Sequence, residues 1–165
     1  MTGKPINLTS HFKNIDNLEI IDKLSDLKRL SRDFYNYSPI LKEKLDKCIA
    51  DIVVRPKNKE AVIAIAKKCW DLSIPLTLRG SGTGNYGQAV PLFGGVVMQM
   101  SHFNKLEEFD LNTGFVKVQS GCVMGELNKQ LDKYGRELRL LPSTWKTATI
   151  GGFIAGGSVG IGSIR

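Results

Sequence analysis

Two segments of this sequence are rich in glycine. The first glycine-rich segment, residues 79–87, reads RGSGTGNYG, and the second, residues 142–162, reads PSTWKTATIGGFIAGGSVGIG. Because glycine has no Cβ atom and readily adopts positive φ angles, such a segment can turn consecutive backbone N–H groups toward one anion. A nest of amides suits the closely spaced negative charges of a pyrophosphate. We therefore expect residues 79–87 to form a phosphate-binding loop.

The composition of the first segment favours a binding loop over a plain turn. An ordinary turn between strands needs only one or two glycines. This segment carries four, which are Gly80, Gly82, Gly84 and Gly87. Ser81 and Thr83 can add hydroxyl donors, and Arg79 can either offer charge at the rim or brace the loop from beneath. We favour bracing for Arg79.

A Rossmann dinucleotide-binding loop is the main alternative. Residues 82–87 match the pattern GxGxxG, follow a predicted strand and precede the acidic residues of segment 105–110 by about 20 positions. In that motif the glycines open a helix whose N-terminus holds the pyrophosphate. Pro91 and the pair Gly94-Gly95 leave no room for such a helix. We therefore expect the match to be accidental.

A β-α-β unit is predicted to lead into the first glycine-rich segment. Residues 52–54 form a short β-branched run, and Asn58 can cap a helix whose apolar residues fall on one face. Residues 74–78 then read as a second strand, which runs directly into Arg79. The first glycine-rich segment should therefore lie at the carboxyl end of a strand.

The remaining chain is predicted to contain both helices and strands. Apolar residues from Ile20 to Phe34 recur at helical spacing, and Ser38-Pro39 supplies an N-cap and first-turn proline, so the first fifty residues should be mainly helical. Further strands are expected at 95–100 and 115–119. A third helix should run from Met124 to a left-handed cap at Gly135.

Length and charge limit the class of protein. A chain of 165 residues can form one compact domain, but it is too short for a cofactor domain plus a full substrate domain. The net charge of +7 would help to capture a phosphate-bearing ligand. Because no basic motif is interleaved with aromatic residues, we do not expect nucleic-acid binding.

The cysteines and the apolar runs indicate a cytoplasmic protein. Cys48, Cys69 and Cys122 are widely spaced and odd in number, which favours reduced, buried thiols over a disulfide framework or a metal site. No apolar stretch approaches the roughly 20 residues of a transmembrane helix. The N-terminal residues also lack the apolar core of a secretory signal.

Both glycine-rich segments resemble one known family. Residues 79–83 with 87–91 closely resemble the first FAD-contacting loop of the vanillyl-alcohol-oxidase-type (PCMH-type) flavoproteins, especially their glycolate and D-lactate dehydrogenase branch. Residues 142–143, 148–152 and 160–165 resemble the second flavin-binding stretch of that family. The resemblance covers residues 51–165 well, and residues 33–38 more loosely. It implies an α+β fold built of α/β subdomains, with a helical segment at 1–50 preceding an FAD-binding domain at 51–165.

The resemblance also implies where FAD would bind. Backbone groups of residues 80–86 would hold the pyrophosphate, residues of the second segment would line the flavin and ribityl region, and Thr149 is the candidate hydroxyl donor. The candidate cofactor-binding residues are Arg79, Gly80, Ser81, Gly82, Thr83, Gly84, Asn85, Tyr86, Gly87, Pro142, Ala148, Thr149, Gly151, Gly152, Ser158 and Gly160.

Departures from the family pattern refine these expectations. Some members tether the flavin through a histidine and a cysteine, but Asn85 and Tyr86 fill the first position and no cysteine follows Cys122, so non-covalent FAD is implied. The family would oxidise a 2-hydroxy acid or similar alcohol by hydride transfer to flavin N5. The cap domain that would carry substrate and catalytic residues is missing, so we expect a truncated chain that is inactive alone.

No catalytic residue is assigned from the sequence. His11 and His102 are isolated, and solvated or packing roles are expected for Lys146 and Trp145. The alternative function is a non-catalytic or degenerate module that binds a nucleotide or anion without redox activity. The substrate, the electron acceptor and the oligomeric state are not determined by the sequence.

Overall fold

A four-stranded sheet forms the centre of the computed structural model, which describes residues 8–163. The strands are β1 (Leu18–Ile21), β2 (Ile52–Pro56), β3 (Leu76–Arg79) and β4 (Val96–Gln99), in the spatial order β1-β2-β4-β3. Strand β4 pairs in parallel with both β2 and β3, whereas β1 pairs antiparallel with β2. The predicted α+β fold is confirmed.

The predicted β-α-β unit is present. Helices α1 (Thr9–Phe12), α2 (Leu24–Leu30) and α3 (Pro39–Leu45) precede β2, and helix α4 (Lys59–Asp71) connects β2 to β3. Asn58 caps α4 as expected, since its side chain accepts a hydrogen bond from the Ala61 backbone N–H at 2.9 Å. The buried face of α4 consists of Ala61, Ile65 and Cys69. This unit brings Arg79 and the first glycine-rich segment to the carboxyl end of the sheet.

The sheet is covered on both faces. Along β2, Ile52 and Val54 face a cluster with Phe12 and Ile65, whereas Val53 faces the other side toward Leu27. The β-branched residues of β2 and β4 are almost completely buried. Burial on both faces explains why these strands read as continuous apolar runs rather than alternating ones.

The N-terminal region differs from the prediction of a mainly helical segment. Residues 18–21 form strand β1, in which Ile20 pairs with Val54. The prediction of a helix starting at Ile20 is therefore wrong for these residues. Isoleucine is β-branched, and beside an open sheet edge it is more stable in a strand. The second helix is confirmed, with the Ser38 hydroxyl accepting from the Leu41 N–H at 3.4 Å. Residues 1–7 lie outside the described residues.

A hairpin and two further helices complete the described chain. Strands β5 (Leu106–Phe109) and β6 (Val116–Val118) pair antiparallel, and helix α5 (Met124–Asp132) packs beside them around Cys122 and Leu127. Gly135 follows α5 with φ at +64°, as predicted for a left-handed cap. Helix α6 (Ile150–Ala155) was not predicted, since no helix was assigned within the second glycine-rich segment.

The cysteines are free, and two of them are buried. Cys69 and Cys122 lie in the core, while Cys48 is half-buried rather than buried as predicted. Burial raises the pKa of the Cys69 thiol to about 11. Among residues 8–163, no helix is both long enough and apolar enough to cross a membrane.

Candidate functional site

The first glycine-rich segment turns away from the sheet immediately after β3. Gly82 and Gly87 have φ angles of +70° and +82°, which fulfil the expectation that glycine is required there. No helix lies between Arg79 and Val96 in the described chain, so the segment does not open a Rossmann helix. The GxGxxG match is accidental, as expected from Pro91 and the pair Gly94-Gly95.

Arg79 is buried against this segment. Its side chain is only 7% exposed, and its Nη1 atom donates a hydrogen bond to the Arg32 carbonyl oxygen at 2.6 Å. A Cβ atom at Gly82 would overlap the guanidinium group, so the backbone of Gly82 lies directly on it. Burial lowers the pKa of Arg79, and the neighbouring Asp33 carboxylate opposes this shift. The predicted bracing role of Arg79 is consistent with this position.

Other contacts hold the far side of the same segment. The Phe34 N–H donates to the Gly84 carbonyl oxygen at 2.7 Å, and the Tyr86 N–H donates to Gln88 Oε1 at 3.2 Å. Gly87 lies against the Leu45 side chain, where a Cβ would approach Cδ1 to 2.6 Å. The segment is thus fixed at several points by its own backbone and by residues of the N-terminal region.

The second glycine-rich segment is anchored to the turn before α5. The N–H groups of Ile150 and Gly151 donate to the carbonyl oxygens of Cys122 and Ser120, at 2.9 and 2.8 Å. Thr149 then caps α6, because its Oγ1 atom accepts from the Gly152 N–H at 3.2 Å. With Oγ1 serving as acceptor in the cap, the hydroxyl hydrogen of Thr149 remains available to another partner.

The two glycine-rich segments meet at Gly80 and Thr149. A Cβ atom at Gly80 would overlap Thr149 Oγ1, so the bare backbone of Gly80 is what allows this approach. Between the segments lies a crevice of about 690 Å³, within the range of roughly 300–1,000 Å³ that is usual for small-molecule and cofactor sites. Both segments contribute to its walls, as the phosphate-loop hypothesis requires.

Most of the candidate binding residues line this crevice. They are Gly80, Ser81, Gly82, Thr83, Gly84, Pro142, Ala148, Thr149, Gly152 and Ser158. Six others lie outside its lining: Arg79, Asn85, Tyr86, Gly87, Gly151 and Gly160. Of these, Asn85 and Tyr86 are exposed, and a Cβ at Gly151 or Gly160 would meet Ser120 or the Leu141 carbonyl oxygen. Residues 164 and 165 of the resemblance lie outside the described chain.

The crevice also has walls that sequence reasoning did not assign. An apolar wall comes from β3 and from the turn before β4, and Phe153 contributes from α6. These unassigned residues are Asp33, Pro75, Leu76, Thr77, Leu78, Gln88, Ala89, Val90, Leu92, Phe93, Thr144, Phe153, Ala155 and Gly156. Strand β3 could have been found, because residues directly before a phosphate loop border the same site. For Asp33 the signal was the looser resemblance over residues 33–38, which assigned it no role.

The lining of the crevice supplies binding groups rather than acid–base groups. Among the described residues that line it, Asp33 is the one ionisable side chain, and the residue is only 6% exposed. His11, His102 and Lys146 do not line it, and Lys146 lies 5.8 Å from the Trp145 ring centre. No cluster of potential metal ligands occurs within residues 8–163.

Comparison with known proteins agrees with this arrangement. A family model described as "FAD binding domain" matches residues 50–165. A D-lactate dehydrogenase of Anaerostipes hadrus is 32% identical over 115 residues, covering 70% of this chain and 24% of that protein. A D-2-hydroxyglutarate dehydrogenase of Escherichia coli is 35% identical over 120 residues, covering 70% of this chain and 12% of the relative.

Structural similarity extends into the N-terminal region. The solved structure of an alkyldihydroxyacetonephosphate synthase matches with a TM-score of 0.79, covering 96% of this chain and 33% of the other. Because the identity is 22%, this likeness establishes the fold alone. The chain spans about a quarter of the length of the D-lactate dehydrogenase that it matches. The family match covers most of the sequence and includes both glycine-rich segments, so the chain belongs to the FAD binding domain family of the vanillyl-alcohol-oxidase-type flavoproteins, whose cofactor is FAD.

Proposed function

We propose that this chain holds FAD non-covalently in the crevice between its two glycine-rich segments, as the cofactor-binding part of a flavin-dependent oxidoreductase. The observation that carries the proposal is the direct approach of Gly80 to Thr149, which joins both segments in one crevice. Two unrelated surface turns would have no reason to share a binding cavity. A single elongated dinucleotide can contact both.

The residues at the crevice fit FAD. Residues 80–84 line the crevice, and the bare backbone of Gly80, Gly82 and Gly84 suits contact with a pyrophosphate. Residues Pro142, Ala148, Thr149, Gly152 and Ser158 provide small side chains and two hydroxyl groups for the flavin and ribityl part. Six further candidate residues would support these contacts indirectly, by fixing the backbone of the two segments. They are Arg79, Asn85, Tyr86, Gly87, Gly151 and Gly160.

When bound, FAD would supply the hydride acceptor. This chain would contribute binding, orientation and shielding from water by the apolar residues Leu78, Phe93 and Phe153. Since the described lining offers no accessible acid–base group, we assign no catalytic residue, and we expect the isolated chain to be inactive. The non-covalent mode is supported by Asn85 and Tyr86 in the first segment and by the lack of a cysteine after Cys122.

The relatives support a 2-hydroxy acid, or a similar alcohol, as the substrate of the whole enzyme. Two of them are named D-lactate dehydrogenase and D-2-hydroxyglutarate dehydrogenase, both after 2-hydroxy acids. We assign FAD binding to residues 51–165, and the family match to 50–165 supports this boundary. We expect no nucleic-acid partner and propose the cytoplasm as the compartment, which the three free thiols favour.

Purification after expression with added riboflavin tests the proposal. We expect a yellow protein that contains close to one FAD per chain and releases it into the supernatant on acid precipitation. Flavin that stays with the precipitate would contradict the non-covalent mode. A folded but colourless protein that does not bind added FAD would favour the alternative of a degenerate anion-binding module. Adding D-lactate without oxygen should leave the bound flavin oxidised, because the one ionisable side chain in the described crevice lining, Asp33, is buried.

A further inference from the structure

Residues 32–34 hold the first glycine-rich segment at two points. The Arg32 carbonyl oxygen accepts from Arg79 Nη1 at 2.6 Å, and the Phe34 N–H donates to the Gly84 carbonyl oxygen at 2.7 Å. Asp33 lies between these two anchors in the sequence. Any change that moves Asp33 would therefore be transmitted to both Arg79 and Gly84.

The two carboxylate oxygens of Asp33 have different surroundings. Oδ1 accepts from the Tyr35 N–H at 2.8 Å and caps the short 3₁₀ helix Phe34–Tyr37. Oδ2 is buried and has no hydrogen-bond partner among the described residues. A Cβ atom at Gly84 would lie 3.6 Å from Oδ2, so this oxygen lies against Gly84 of the first glycine-rich segment.

The buried guanidinium of Arg79 matches this carboxylate. Arg79 is 7% exposed, and its Nε atom is also buried without a hydrogen-bond partner in the described chain. The two side chains attract each other electrostatically, although no direct ion pair joins them among residues 8–163. A buried charge without a compensating charge is strongly destabilising. Each group therefore makes the burial of the other tolerable.

We propose that Asp33 is a positioning residue for the FAD-binding loop, holding residues 80–84 in place through the charge that it offers to Arg79 and the turn that it caps beside Gly84. The ligand side of this inference rests on the proposed function. The positioning itself concerns this chain alone and applies to the protein without FAD. Asp33 does not need to touch the cofactor to affect its affinity.

Asp33→Asn separates the charge from the cap. Asparagine keeps an Oδ1 acceptor for the Tyr35 N–H but leaves the Arg79 guanidinium without its countercharge. The matched control is Glu43→Gln, which removes one negative charge from an exposed position on the neighbouring helix α3. Two measurements are made on the full chain: hydrogen exchange, without FAD, of the Phe34 amide that donates to the Gly84 carbonyl oxygen, and the Kd for FAD.

We expect Asp33→Asn to raise both the exchange rate of the Phe34 amide and the Kd for FAD by at least about ten-fold, because the buried Arg79 cation loses its countercharge. Exchange in helix α4 should change much less, which distinguishes loosening of the loop from global destabilisation. Glu43→Gln should leave both quantities unchanged. Exchange and Kd that stay at wild-type values in Asp33→Asn would overturn the inference.

A double variant tests the coupling to Arg79. In a chain that already carries Arg79→Gln, adding Asp33→Asn should change the exchange rate and the Kd for FAD very little, because the uncompensated cation is then gone. If Asp33→Asn alone does not fold, adding Arg79→Gln should restore folding, and failure to do so overturns the inference, as does full additivity. If the wild type does not bind FAD while Asp33→Asn still speeds exchange of the Phe34 amide, the positioning role stands and the proposed cofactor function falls.

Discussion

Thr149 Oγ1 occupies the position that a Cβ atom at Gly80 would need. The same oxygen accepts a hydrogen bond from the Gly152 N–H and so caps helix α6. One hydroxyl group thereby links the start of the first glycine-rich segment to the helix within the second. Only glycine at position 80 leaves room for Thr149 Oγ1, since any side chain there would displace this cap.

Gly80→Ala should destabilise the protein by about 1 kcal/mol, because the new methyl group pushes Thr149 Oγ1 away from the Gly152 N–H and removes a helix cap. The φ angle of Gly80 is not in the left-handed region, so the backbone itself tolerates alanine. Urea denaturation of Gly80→Ala, Thr149→Ala and the double variant measures the effect. We expect the two costs to be clearly less than additive, and simple additivity would show that the two residues do not interact.

Gly82→Val should abolish retention of FAD. The valine side chain would collide with the Arg79 guanidinium at a strained φ of +70°, so residues 80–84 would have to leave the positions proposed to hold the pyrophosphate. Gly114→Val is the matched control, because Gly114 has nearly the same φ angle, +72° against +70°, but nothing lies within 4 Å of its Cβ position. Flavin content after gel filtration checks the pair. Stoichiometric FAD in Gly82→Val would refute the assignment of the phosphate site.

The free energy of unfolding should fall as the pH rises from about 10 to about 12, because the Tyr35 phenol ionises less readily in the native chain than in the unfolded chain. Burial and a hydrogen bond to Asp46, 2.8 Å long, raise the pKa of this phenol from 10.0 to about 12. Between these values the unfolded chain loses the tyrosine proton before the native chain does, which favours unfolding. The advantage in melting temperature of the wild type over Tyr35→Phe should therefore shrink across this range. A constant difference would contradict the assignment.

The local sequence determines the elements that lead into the first glycine-rich segment. The apolar run at 52–54, the cap at Asn58 and the four glycines of the first segment each act through neighbouring residues, so β2, α4 and the loop were predictable. The same holds for the left-handed cap at Gly135. In these places local preference and tertiary structure agree.

Other features depend on contacts between residues distant in sequence. Ile20 and Ile21 have helical spacing, yet pairing with β2 over more than thirty positions makes them a strand. Helix α6 contains Gly151 and Gly152, which disfavour a helix, and its stability comes from the Thr149 cap and the anchors at Ser120 and Cys122. The contact of Asp33 with Gly84 likewise exists only in the folded chain.

The most direct test of the account is an NMR titration of the ¹⁵N-labelled chain with FAD. A single dinucleotide that contacts both glycine-rich segments should shift or broaden the amide signals of residues 80–84 and of residues 148–158 together, with one common Kd. Signals of residues 110–114 in the hairpin turn should stay in place. Changes confined to one segment, or separate Kd values for the two, would contradict the claim that both segments bind the same FAD molecule.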